Sequence, residues 1–113
     1  MAYKLPFDYS HTTENNIKIL LDDGERQKIL KFSLYLIDEN WYIDISDNDN
    51  YLLIGRIIHT WMDLIEVLKI YNKEFPKLKI FAAPSNINGI KKEFTSSTAG
   101  ITHEIIITTE AGE

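Results

Sequence analysis

Residues 26–46 hold the feature that most restricts the fold. In "RQKILKFSLYLI", Phe32, Leu34 and Leu36 alternate with Lys31, Ser33 and Tyr35. After Asp38-Glu39-Asn40 the alternation resumes, with Trp41, Ile43 and Ile45 between Tyr42, Asp44 and Ser46. A period of two places every second side chain on one face of a strand. A connection this short admits only antiparallel pairing, because a parallel crossover needs a dozen or more residues. The stretch therefore predicts a hairpin with one apolar and one polar face, and a second apolar layer must cover the apolar one.

The neighbouring segments extend the pattern. "IKILL" (17–21) is a short apolar strand, and Asp22-Asp23-Gly24 supplies a turn signal after it. "YLLIGRIIH" (51–59) predicts a further strand, in which Gly55 implies a bulge or a close backbone approach. At Thr60 the period changes. Trp61, Leu64, Ile65 and Leu68 recur at i, i+3, i+4 and i+7, which predicts a helix over about 60–72 with Thr60 as its N-cap and Asp63 in its first turn. "KLKIFAA" (77–83) and "THEIIITTE" (102–110) are strand-like, the latter with Ile105 and Ile107 on one face. The expectation is a mainly β, β-rich α+β fold: a small antiparallel β-barrel or two packed sheets of about six strands, with one short helix. Residues 1–16 read as an N-terminal arm and 17–113 as a single β-rich domain. The arm and the loop from Pro84 to Gly100 carry few apolar residues, so both are expected to order mainly against partners.

Composition narrows the function. A chain of 113 residues can bury a core without disulfides or metal, and its 44% hydrophobic and 26% charged residues are ordinary for a globular domain. The absence of cysteine removes thiol catalysis and thiolate zinc sites. No apolar run approaches the roughly 20 residues of a membrane span, and the first residues lack the apolar core of a signal peptide. A net charge of −5 opposes a phosphate-dominated nucleic-acid role. Lys69, Lys73, Lys77 and Lys79 form a local exception, expected to be a solvated face near the helix C-terminus.

Candidate chemistry is sparse. The acidic run Asp44-Ile-Ser-Asp47-Asn-Asp49-Asn50 fails the calcium-loop pattern: counted from Asp47, positions 5, 6 and 12 are Tyr51, Leu52 and Ile58. Asp and Asn favour tight turns, so a hairpin turn is expected there. His11, His59 and His103 do not form an H-E-x-x-H motif, although His59 and His103 fall on separate strands that could meet. Ser96, Ser97 and Thr98 lack a nucleophile elbow, and "SNINGIKK" is not a phosphate loop. Tyr35, Trp41, Tyr42, Tyr51 and Trp61 could build a stacking platform for bases, but core and interface packing suits an acidic chain better. No catalytic, cofactor-binding or metal residue is assigned.

The order of these segments carries a resemblance. The run "FSLYLIDENWYIDISDNDNYLLIGRIIHTWMDLIEV", followed by a strand, a loop and "AGITHEIIITTE", resembles the small baseplate plug proteins of contractile-tailed bacteriophages. The residues that carry it are Trp41, Ile43, Asp44, Ile45, Asp47, Gly55, Asp63, Leu64 and the stretch Thr95–Thr108, within about residues 26–110. The resemblance implies a non-catalytic structural protein of a phage or phage-derived tail. It would be made in the host cytoplasm and sit in the virion baseplate in several copies. It would contact hub, tube, wedge or spike proteins, with no cofactor, nucleic acid or membrane. The residue-level alternative is a small cytoplasmic β-barrel module binding peptide or nucleic acid.

A hairpin turn at Asp47–Asn50 has no ligand set for calcium. Melting curves with calcium and with chelator are predicted to superimpose. A rise of many degrees on adding metal, or a micromolar isotherm by calorimetry, would refute the assignment.

Overall fold

A computed structural model describes residues 2–10, 15–48, 50–84, 93–101 and 103–109. Seven strands and one helix follow in the order β1 (Ala2–Lys4), β2 (Asn15–Asp22), β3 (Gln27–Ile37), β4 (Asn40–Asp47), β5 (Asn50–Ile57), α1 (Glu66–Tyr71), β6 (Leu78–Pro84) and β7 (His103–Thr109). They form two antiparallel sheets, one ordered β2-β3-β4-β5 and the other β1-β7-β6. The sheets remain separate layers rather than a closed barrel.

The predicted hairpin sets the core. Phe32 lies opposite Ile45, Leu34 opposite Ile43 and Leu36 opposite Trp41. Phe32, Leu34, Trp41, Ile43 and Ile45 are buried and join Ile80, Ala82, Ile105 and Ile107 of the second sheet in one cluster. The two-residue connection Asp38-Glu39 places Asp38 at φ 57°, a geometry that Asp tolerates and that matches strand twist in tight hairpins.

Gly55 marks the predicted bulge. Pairing between β4 and β5 slips between Ile43 and Ile45, and again between Ile45 and Ser46. Gly55 has φ +68°, a left-handed conformation open to glycine without a Cβ penalty. Its N–H donates to Asp44 Oδ1 at 2.8 Å, and the Tyr35 hydroxyl donates to the same oxygen at 3.0 Å. Asp44 thus supplies an acceptor where the ladder is interrupted. Desolvation first, then the bond to Asp44, raises the Tyr35 pKa above its ordinary value.

The first sixteen residues do not form a separate arm in their described part. Ala2–Lys4 pairs with β7, giving a strand beyond the six expected. Leu5 and Phe7 enter the core, and Asn15 Nδ2 donates to the Asp8 carbonyl at 2.8 Å. Tyr9 stands edge-on to both Trp41 and Phe94. Its hydroxyl, held well above its usual pKa chiefly by burial, accepts a long hydrogen bond from Ile105 N–H. Three large apolar or aromatic side chains in five positions (Leu5, Phe7 and Tyr9) dock the segment, with Ile17 of β2 also packed against the core.

The described end of the closing loop is packed as well. Phe94 and Ala99 are buried, Ser96 N–H donates to the Glu39 carbonyl, and Thr98 Oγ1 donates to the Glu93 carbonyl at 2.6 Å. Gly100 has φ +74°, and a Cβ there would approach Tyr9 Cδ2 to 2.8 Å, so both conformation and space require glycine. Residues 85–92, the "SNINGIKK" part of this loop, lie outside the described residues.

The helix is shorter than predicted. Thr60 bridges Ala82 in parallel, Trp61 N–H donates to the Ala82 carbonyl at 2.8 Å, and Leu64 N–H donates to the Ile80 carbonyl at 2.7 Å. Carbonyls on the free edge of β6 take these donors, so residues 60–64 line that edge instead of forming the first helical turns. Thr60 is not an N-cap, and α1 has no side-chain cap. Leu64 and Ile65 still face the core, with Leu68 packed against it, while Trp61 leaves the stripe and is exposed.

Trp41 is 1% exposed, and its Nε1 has no hydrogen-bond partner. Large-to-small substitution of a buried aromatic costs about 3–5 kcal/mol. Removing an orphaned donor offsets part of that loss, so Trp41→Ala is predicted to lower unfolding stability by an amount near the lower end. Chemical denaturation measures it, and a variant that unfolds with the parent would contradict the inward placement.

Candidate basic and aromatic cleft

An open cleft of about 950 Å³ lies where α1, the 60–64 segment, β6 and the β2–β3 turn converge. Its lining includes Trp61, Phe81, Arg26, Lys73, Lys77 and Lys79. It is framed by two aspartates whose carboxylates accept from backbone across the fold.

Asp23 sits in the turn between β2 and β3. Its Oδ1 accepts from the N–H groups of Glu25 at 2.9 Å and Arg26 at 2.6 Å, as expected of an Asp that bonds its own turn. Its Oδ2 accepts from Lys77 N–H at 2.7 Å, 54 positions away, and so ties the first sheet to the approach of β6. These donors, Lys77 foremost, hold the Asp23 pKa well below the ordinary carboxylate range. Arg26 Nη1 adds a contact at 3.5 Å.

Asp63 does the same for the helix. Its Oδ1 accepts from Ile65 N–H and Ile80 N–H, each at 3.2 Å. Its Oδ2 meets Lys69 Nζ at 2.7 Å, and Lys69 also donates to the Leu78 carbonyl at 2.7 Å. Lys69 therefore departs from the expected solvated face: its side chain is only 13% exposed and acts as a strut between α1 and β6. Lys73, Lys77 and Lys79 are exposed, and no ion pair to them occurs among the described residues.

Trp61 forms the rim. Its φ of 69° is unusual for a bulky residue, and such conformations cost of order 1–3 kcal/mol. The bond to the Ala82 carbonyl fixes this backbone. Trp61 is 62% exposed, and its ring stacks on Phe81 with centroids 5.6 Å apart and planes 29° from parallel. The helical spacing predicts Trp61 on a buried face, but spacing cannot reveal a left-handed backbone. Arg26 and Phe81 carry no site signal in the sequence, and only the fold brings them to the lysines.

The other sequence candidates are dispersed. Asp47 pairs with Lys28 at 2.9 Å, and Asn48 takes φ 48° in a two-residue hairpin connection. Asp49 and His11 lie outside the described residues. His103 is fully buried with its ring edge-on to Phe94, whereas His59 is exposed, with Nδ1 3.7 Å from Glu93 Oε1. Ser97 and Thr98 hydrogen-bond within their own loop. Tyr35 and Tyr42 stack on each other across β3 and β4, Tyr51 stands exposed on β5, and Trp41 is core. Among the described residues, no three His, Asp or Glu side chains gather where they could hold a metal ion, and no helix is long and apolar enough to cross a membrane.

No protein-family model matches the chain, and no curated protein matches it.

The Asp23 geometry generates a pH dependence. A carboxyl with a depressed folded-state pKa stabilises the fold fully above its unfolded value of about 3.9 and loses that contribution as pH falls through the folded value. Asp23→Asn removes the charge. The variant is predicted to be less stable than the parent at neutral pH, and the gap is predicted to narrow as pH falls below about 4. Denaturant titrations across that range measure it, and a gap independent of pH would contradict the role of the charge.

Proposed function

We propose that the chain is a non-catalytic assembly subunit, of the kind its resemblance implies: a structural component of a contractile-tail baseplate, of phage or phage-derived origin. It plugs or joins the tube and hub region through contacts with other tail proteins. It is made in the host cytoplasm and resides in the particle in several copies. The observation that carries this reading is the surface of β5, the outer strand of the four-stranded sheet. Tyr51 is 63% and Ile54 67% exposed there, and Leu52 is exposed beside them. An edge strand has unpaired backbone groups, and apolar side chains on it make it a template for association. The paired residues Leu20 and Ile29 add exposed apolar surface at the opposite side of the same sheet. The bulges at Gly55 and beyond Ile45 twist β5 and disfavour indiscriminate edge pairing, which suits a surface built for a particular neighbour.

The second reading, a small cytoplasmic peptide- or nucleic-acid-binding module, draws on the cleft with its stacked Trp61 and Phe81. The two readings separate on whether the chain resides in particles.

The expected result is that the chain co-purifies with the products of neighbouring genes and is found in imaged tail particles. Ile54→Asp, at an exposed position where substitutions usually change stability by within about 0.5 kcal/mol, is predicted to fold normally and to be lost from particles. The reading fails if the chain stays a lone soluble monomer, is absent from particles, and binds oligonucleotide tightly at physiological salt.

A further inference from the structure

From the cleft we infer a specific docking site for an acidic peptide segment bearing an apolar anchor, presented by a neighbouring protein. Three observations converge on it. The first is charge. The whole chain carries −5, yet here Lys73, Lys77 and Lys79 face a single unpaired carboxylate, Glu66, among the described residues. Asp63 is already matched by Lys69, and Arg26 by Asp23. An anionic segment meets a local cationic excess there.

The second observation is the aromatic rim. An exposed Trp stacked on a ring beneath it is a rigid apolar platform, and Trp is prominent among residues that dominate binding energy. Backbone strain at Trp61 is the third. A left-handed Trp leaves its ring on the surface, where a helical Trp61 would have turned toward the core with Leu64 and Ile65. Strained backbone of this sort concentrates at binding sites.

The occupant is a peptide rather than a nucleic acid. Three lysines with carboxylates in the same wall give too short a cationic track for a phosphate backbone, whose specific binders commonly neutralise six or more phosphates. An acidic peptide can alternate carboxylates toward the lysines with an apolar side chain toward Trp61. The assignment of the segment to a neighbour in the particle rests on the assembly reading above.

The probe is a short synthetic peptide of aspartates and leucines with one phenylalanine, titrated into the full chain and each variant by calorimetry, with tryptophan emission also followed in the parent. Trp41 is buried and Trp61 exposed, so a change in emission reports Trp61. The peptide should bind saturably, and rising salt should weaken it. Affinity should fall about tenfold or more in a Lys73→Glu, Lys77→Glu double variant and in Trp61→Ala, with Trp61→Phe retaining binding. Melting curves verify that the variants fold. The inference is overturned if the peptide does not bind, if the charge-reversed chain binds it equally, or if a lysine-rich peptide or an oligonucleotide binds the parent as well. Particle incorporation separates the two proposals. A parent absent from particles that still binds the peptide refutes the assembly reading alone. A parent present in particles that ignores the peptide refutes the cleft alone.

Discussion

Burial of the inward faces of β3 and β4 against the second sheet is the interaction on which the other features depend. Phe32, Leu34, Trp41, Ile43 and Ile45 present one continuous apolar surface because antiparallel pairing sets them opposite one another in register. A one-residue slip would turn the whole set to solvent, so the register is held by the core as much as by the ladder. Ile80, Ala82, Ile105 and Ile107 close the other side. Leu5 and Phe7 fill the margin of that layer, which explains why the N-terminal residues pack despite their polar appearance.

Aspartates solve the problem that this packing creates at its borders. At three places where the chain leaves a ladder, a carboxylate accepts the released N–H: Asp44 at the Gly55 bulge, Asp23 at the β2–β3 turn and Lys77, and Asp63 at the start of α1 and Ile80. Charged acceptors of backbone N–H are stronger than neutral ones, and unpaired buried donors are costly. The acidic residues therefore do structural work at these points. Asp23 and Asp63 also fix the walls of the basic cleft, because each bonds a residue at or near β6. The position of Lys77 and Lys79 relative to Trp61 follows from those bonds.

The two surfaces suit different kinds of contact. The β5 edge offers backbone groups and apolar side chains, which favour a broad protein neighbour. The cleft offers a small cationic track beside a ring platform, which favours a narrow segment. Among the described residues, His103 is buried against Phe94, and His59 is exposed beside Glu93.

By itself the sequence determined six of the seven described strands, the inward phase of Trp41, Ile43 and Ile45, the turn at Asp22–Gly24 and the bulge at Gly55. Those features follow from local rules: a side-chain period of two, and the tolerance of Gly and Asp for left-handed backbone. Tertiary structure decided the rest. The spacing of Trp61, Leu64, Ile65 and Leu68 satisfied a helix, but the free edge of β6 offered carbonyls that local reasoning could not see, and residues 60–64 took them. Lys69 looked like its neighbours Lys73 and Lys77 until the fold placed Asp63 and the Leu78 carbonyl within reach of it. The cleft exists only because Arg26, Trp61 and Lys79, distant in sequence, converge there, and that convergence depends on how the two sheets pack, which no local pattern encodes.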